Sequence, residues 1–135
     1  MSTVTLINPP VVSLERPSLG LGLLHARLAD AEIDTETVHA NIAFSQQIGL
    51  ISHSMLNMAY HKSLLGEWAF AQSVFGEQAN DLQEAQINAA FAGAQSHTLS
   101  QLLKIEGDAS LTDFLLRIRA EASRFVSRIA QEIVG

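Results

Sequence analysis

A helix-dominated α/β chain built on one βαβ unit is predicted by three observations. A β-rich run is halted by two prolines, a stretch of helical apolar spacing follows, and a second β-branched run precedes a long remainder rich in Ala, Gln, Leu and Met. Val4, Leu6 and Ile7 form the first strand. Asn8-Pro9-Pro10 stops it, because proline cannot donate to a ladder and drives its predecessor out of the α region. After the loop, Pro17-Ser18 is a plausible helix start, and Leu21, Leu24, Leu28 and Ala31 then recur on one helical face to about Asp30. The segment "IDTETVHAN" is the second strand, with Thr35, Thr37 and Val38 as its β-branched members. Strand, helix and strand in that order make a right-handed crossover and a parallel pair.

Beyond Asn41 the chain reads as helices, with no proline after Pro17 and with Gly66, Gly76, Gly93 and Gly107 as breaks or close contacts. A last helix begins near Ser110 and carries Phe114, Leu115, Ile118, Ala122, Phe125 and Ile129 on an apolar stripe. Arg117, Arg119, Arg124 and Arg128 are expected on its opposite face, and Asp113, Glu121 and Glu132 fit a solvated, charge-mixed surface. Ile133-Val134-Gly135 reads as the start of a third strand. The expected division is residues 1–41 as the βαβ start and 42–135 as a helical insertion with a final helix leading towards that strand. Two parallel strands alone leave open edges, so either further strands or a partner, in a homo- or hetero-oligomer, are expected to complete the sheet.

Only 16% of the residues are charged, below the roughly 25% usual for a folded domain, and mean hydropathy is +0.18; burial against another surface is expected. A net charge of −6 argues against a nucleic-acid partner, which requires clustered Lys and Arg. The absence of cysteine removes thiolate metal sites and iron–sulfur ligation from these residues. The opening "MSTVTLINPP" lacks a signal-peptide pattern and no apolar run is long enough for a membrane span, so no membrane partner and a cytoplasmic location are expected.

The dinucleotide fingerprint is incomplete: Gly20 and Gly22 are present, but His25 stands at the third glycine and His39-Ala40-Asn41 lacks the ribose-binding acid. None of the five histidines pairs at the i, i+4 spacing of a helical metal site, and His61, near Glu67 and Trp68, is the one worth testing. There is no G-x-S-x-G elbow, and Ser18 is best explained as a helix cap. No catalytic residue is assigned. Trp68 reads as an aromatic anchor, and Glu67 is expected to seek Arg16 or Lys62.

Asn8-Pro9-Pro10, Pro17-Ser18-Leu19-Gly20-Leu21, Asn41, "IGL" and Gly66-Glu67-Trp68-Ala69-Phe70, followed by "FGE" ending at Glu77, occur in that order. This series resembles the N-terminal cobalamin-binding region of cobalamin-dependent radical S-adenosylmethionine enzymes that mature ribosomally made peptides, in particular the C-methyltransferases. The likeness runs from Val4 to about Glu77 and continues weakly through the last helix. It implies an incomplete Rossmann-like fold of the cobalamin-binding type, with Asn8, Pro9, Pro10, Ser18, Leu19 and Gly20 facing the corrin or a neighbouring catalytic domain. Asn41, His61, Glu67 and Trp68 are further candidates. It also implies that the iron–sulfur cluster and S-adenosylmethionine belong to a downstream domain outside these residues, and that the partners are that domain and a peptide substrate. A separate interaction subunit, docking a peptide or partner enzyme and binding no cofactor, is the alternative.

Overall fold

Val4–Asn8 (β1) and Thr35–His39 (β2) lie side by side in parallel, in register from Val4 opposite Thr35 to Asn8 opposite His39. The computed structural model describes residues 2–59, 61–76, 81 and 83–135. Leu19–Asp30 (α1) connects the strands, as the apolar spacing predicts. Strand side chains alternate between faces, so Val4, Leu6 and Asn8 share a face with Thr35, Thr37 and His39. His25 of α1 lies 3.1 Å from Thr37 Oγ1, which puts the helix over this face. On the opposite face Thr5 donates to Glu36 (2.7 Å), and Ile7 stays 46% exposed. Helix α1 has no fully buried residue; Leu21 and Leu28 are half-buried, while Leu24 is exposed.

The chain passes from β2 into Ala40–Ile48 (α2) without a loop, then into Leu50–Met58 (α3) after Gly49. A short 3-10 turn at His61–Ser63 precedes Leu65–Phe75 (α4). Glu84–Ala90 (α5), Ser96–Glu106 (α6) and Leu111–Val134 (α7) complete the described elements. Residues 77–80, which the sequence assigns to helix, and Glu77, the end of the resembling stretch, lie outside the described residues. No helix among the described residues is long and apolar enough to cross a membrane.

The core belongs to the helices. Phe44 of α2, Met55 of α3, Ala69 of α4 and Phe114, Ile118, Ala122 and Phe125 of α7 are almost fully excluded from solvent. The strands and α1 contribute no apolar residue to this cluster. The expected third strand at Ile133-Val134-Gly135 is instead the end of α7, with the Gly135 N–H donating to the Gln131 carbonyl at 2.8 Å. Among the described residues no strand lies beside these two β-branched positions to pair with, and the helical i to i−4 bonds simply continue.

Arg119 also departs from expectation. Arg117, Arg124 and Arg128 reach polar partners at the margin of α7, but Arg119 is 6% exposed. It follows Leu115 by four residues and so falls on the packed face.

Helices α2 and α7 are braced by Gln47, whose Nε2 donates to the Glu121 carbonyl (2.9 Å) and carboxylate (2.8 Å). Arg124 donates to the other carboxylate oxygen. The Arg124 hydrogen bond, helped by Gln47, holds the Glu121 carboxyl below the usual glutamate range despite partial burial. A carboxyl depressed by folding contributes stability that is present above its unfolded value, about 4.3, and is lost as pH falls through the folded one. Glu121→Gln is therefore expected to lower the thermal midpoint at pH 7, with the gap from the wild type closing as pH falls below about 4.3. Melting curves across that range check it.

Helix α1 ends with Ile33 N–H donating to the Leu28 carbonyl and Glu32 N–H to the Ala29 carbonyl. That is a Schellman termination, but its left-handed position is Glu32 (φ 57°), where glycine is the usual residue. Helix α6 ends the same way with Gly107 (φ 78°) in the equivalent place. Glu32→Gly is expected to stabilise the chain by about 1 kcal/mol, since a side chain there costs roughly 1–2 kcal/mol, partly offset by the greater unfolded-state freedom of glycine. Urea denaturation would read the gain directly.

Candidate functional site: a cleft at the carboxyl ends of the strands

Asn8 ends β1 and Asn41 stands just past the end of β2, so the parallel register brings the two side chains together. They are 6% and 4% exposed, and Asn8 Nδ2 donates to Asn41 Oδ1 at 3.2 Å. Asn41 Nδ2 in turn points at the Ser13 carbonyl at 3.5 Å. A carbonyl can only accept, so this order fixes both amides and leaves Asn8 Oδ1 as an acceptor with no donor supplied by the described residues.

Around this pair opens a cleft of about 430 Å³. Ser18, which caps α1, lines it with Leu21 and His25 of that helix; Thr37 and His39 come from β2, and Leu14, Arg16 and Pro17 from the loop. Ser18 caps α1 by accepting from the Leu21 N–H (3.3 Å), which orients the first turn against the strand ends. The surface of the lining is mostly apolar, with Leu14, Pro17, Leu21 and Ile42 in it, and hydrogen-bonding groups are set between them, Arg16 being the one permanent cation. A cleft outside the carboxyl ends of parallel strands is the usual ligand position in open α/β sheets. Among the described residues no three His, Cys, Asp or Glu side chains converge as a metal site.

The start of the loop, at Pro9 and Pro10, lies outside this cleft. Pro9 and Pro10 line a second, more apolar groove of about 340 Å³ with Val11, Val12, Gly66, Glu67 and Phe70. Two distant sequence motifs thus meet. Gly66 lies inside α4, and a Cβ placed on it would come within 3.1 Å of Val11, so its lack of a side chain permits this approach. His53, buried at 1% exposure, holds the loop from the other side. Its Nε2 is 3.0 Å from the Pro10 carbonyl and must carry the proton, leaving Nδ1 to accept from Asn57 (3.2 Å).

Of the candidate residues, Asn8, Ser18 and Asn41 share the main cleft, and Pro9, Pro10 and Glu67 line the groove behind the loop. Leu19 and Gly20 are exposed in the first turn of α1 and line neither. His61 is exposed in the 3-10 turn, and Trp68 packs at the edge of the core against Arg119. Glu67 forms no ion pair with Arg16 or Lys62 among the described residues; it is exposed in the first turn of α4, where water and the helix N-terminus satisfy a carboxylate.

His25, Thr37, His39 and Arg16 were not singled out as site residues by the sequence. A signal existed for His25, which falls in phase with Leu21 and Leu28 and so faces the strands. None existed for His53, whose partner Pro10 is 43 residues away. Compared with protein-family models, curated proteins and solved structures, the chain matches none.

Proposed function

We propose that this chain is the cobalamin-holding portion of a radical S-adenosylmethionine enzyme that modifies, by C-methylation, a ribosomally made peptide, and that the cleft beside Asn8 and Asn41 forms one wall of the corrin site. The carrying observation is that Asn8, Ser18 and Asn41, drawn from three separate segments of the resembling series, line a single cleft at the strand ends. The lining suits the group in kind: its mostly apolar surface can lie against the macrocycle, and the amides, hydroxyls and imidazoles set into it complement the amide-fringed rim of a corrin. In size, about 430 Å³ is the scale of a small-ligand pocket and suits one edge of the macrocycle rather than its whole body. Asn8 Oδ1 and the Ser18 hydroxyl would receive and donate hydrogen bonds at that edge, and His39 and Arg16 would flank it. Bound cobalamin supplies methyl-transfer chemistry, while the protein's part is to orient it and limit its contact with water. The iron–sulfur cluster, S-adenosylmethionine and the peptide belong, in this reading, to a partner domain working in the cytoplasm.

A titration of the chain with hydroxocobalamin, followed by visible absorption, tests the reading. A saturable change in the corrin bands is expected, weakened at least about tenfold in His39→Trp, since the new ring occupies the exposed rim of the cleft at a loss of roughly 1.4 kcal/mol of binding. Unchanged bands with a protein that is folded by circular dichroism would count against it.

The interaction-subunit reading draws on a different observation. Leu19, Leu23 and Leu24 of α1 are 76%, 59% and 53% exposed, beside a sheet with two open edges. It gains ground if light scattering finds an assembly that leaves the corrin spectrum untouched.

A further inference from the structure

Arg119 carries an unanswered demand. Its guanidinium lies over the Trp68 ring, 4.4 Å from the centroid, and its side chain is 8% exposed. Among the described residues its counter-charge is Asp81, whose Oδ1 is 3.6 Å from Nη1 on a side chain that is 91% exposed. Nε and Nη2, by contrast, are shut off from solvent and have no hydrogen-bond partner; they are the only buried side-chain nitrogens or oxygens among the described residues in that condition. Burying charged donors without acceptors is strongly unfavourable, and the attraction of an indole face offsets only part of that.

The pattern of the two orphaned atoms is specific. Nε–H and Nη2–H run parallel along one edge of the planar guanidinium, the edge that grips both oxygens of a carboxylate. Nη1, the nitrogen that approaches Asp81, is not part of that edge. We infer that the Nε/Nη2 edge of Arg119, backed by Trp68, is a carboxylate-binding site distinct from the cleft beside Asn8. Both nitrogens are closed to water, so an incoming carboxylate displaces packing beside α7, and binding should equilibrate slowly. The carboxylate has two possible sources: a free acid, or Asp81 swinging across from Nη1.

Trp68, the only tryptophan, reports on the site by its fluorescence. The full chain would be equilibrated with sodium acetate against sodium chloride at matched ionic strength, alongside Asp81→Asn and Arg119→Met. A saturable, acetate-specific change in wild-type emission, weakened at least tenfold in Arg119→Met, establishes the site and a free acid as its ligand. A saturable change in Asp81→Asn but not in the wild type establishes the site with Asp81 as its resident carboxylate. Absence of a saturable change in both the wild type and Asp81→Asn overturns the inference, whatever Arg119→Met does. So does an equal change in Arg119→Met, because the response would then not depend on the guanidinium.

Discussion

Phe44→Ala is expected to destabilise the chain by about 3–5 kcal/mol, the range for emptying a fully buried phenylalanine site. Phe44 is 0% exposed and stands where α2, α4 and α7 meet. Its ring lies 5.2 Å from that of Phe70 and 5.1 Å from that of Phe125. Each tilted aromatic contact contributes about 0.5–1.5 kcal/mol beyond the area it buries, so three rings lose their common centre at once. Set against a typical domain stability of about 5–15 kcal/mol, the variant should be only marginally folded at room temperature. The effect reaches the cleft, because Asn41 sits one turn before Phe44 on the same helix. Denaturant unfolding gives the number, and a loss below about 1 kcal/mol would mean that the three helices do not share this core.

Arg117→Met is expected to cost about 2–3 kcal/mol at pH 7, the lower side of what breaking a buried ion pair costs, because Arg117 is itself 32% exposed. Asp108, whose side chain is 8% exposed, is gripped by Arg117 through Nε to Oδ1 (3.0 Å) and Nη2 to Oδ2 (2.8 Å). The same Nη2 donates to the buried Ser52 Oγ at 3.0 Å, joining α3 to the turn before α7. The Asp108 hydrogen bond raises the already high pKa of the guanidinium, against a smaller opposing effect of burial. A cation whose pKa is raised on folding contributes its stability fully below its unfolded value, so the guanidinium stays charged throughout the ordinary pH range. Removing Arg117 strands a buried carboxylate. Asp108→Asn in the same chain should therefore recover a large part of the penalty. Urea titrations of the wild type, the single variants and the double variant at pH 7 would measure that coupling.

The βαβ unit was legible because its punctuation is local. Prolines end β1, β-branched residues mark β2, and Leu21 and Leu28 keep helical phase between them. The Gly107 termination was legible for the same reason, whereas Glu32 was not, since nothing about a glutamate announces a left-handed backbone. Ile133 and Val134 misled in the opposite way: their β preference is real but weak, and a helix already propagating from Leu111 overrides it. Asn8 and Ser18 were candidates through the resemblance, with Asn41 a further one, and they meet because strand ends and a helix start are adjacent by topology. Pro9 and Pro10 fell on the other side of the loop, and the pairing of Trp68 with Arg119 joins residues of α4 and α7 that no local pattern connects.

The proposed function puts the ligand in the cleft between the strand ends and the start of α1. Amide chemical-shift mapping of the isotope-labelled chain during addition of hydroxocobalamin tests it most directly. Shifts concentrated on the backbone of Ser18, His25, His39 and Asn41, and on the side-chain amides of Asn8 and Asn41, are the predicted result. Shifts confined to α6 and α7, or none at saturating cobalamin, would contradict it.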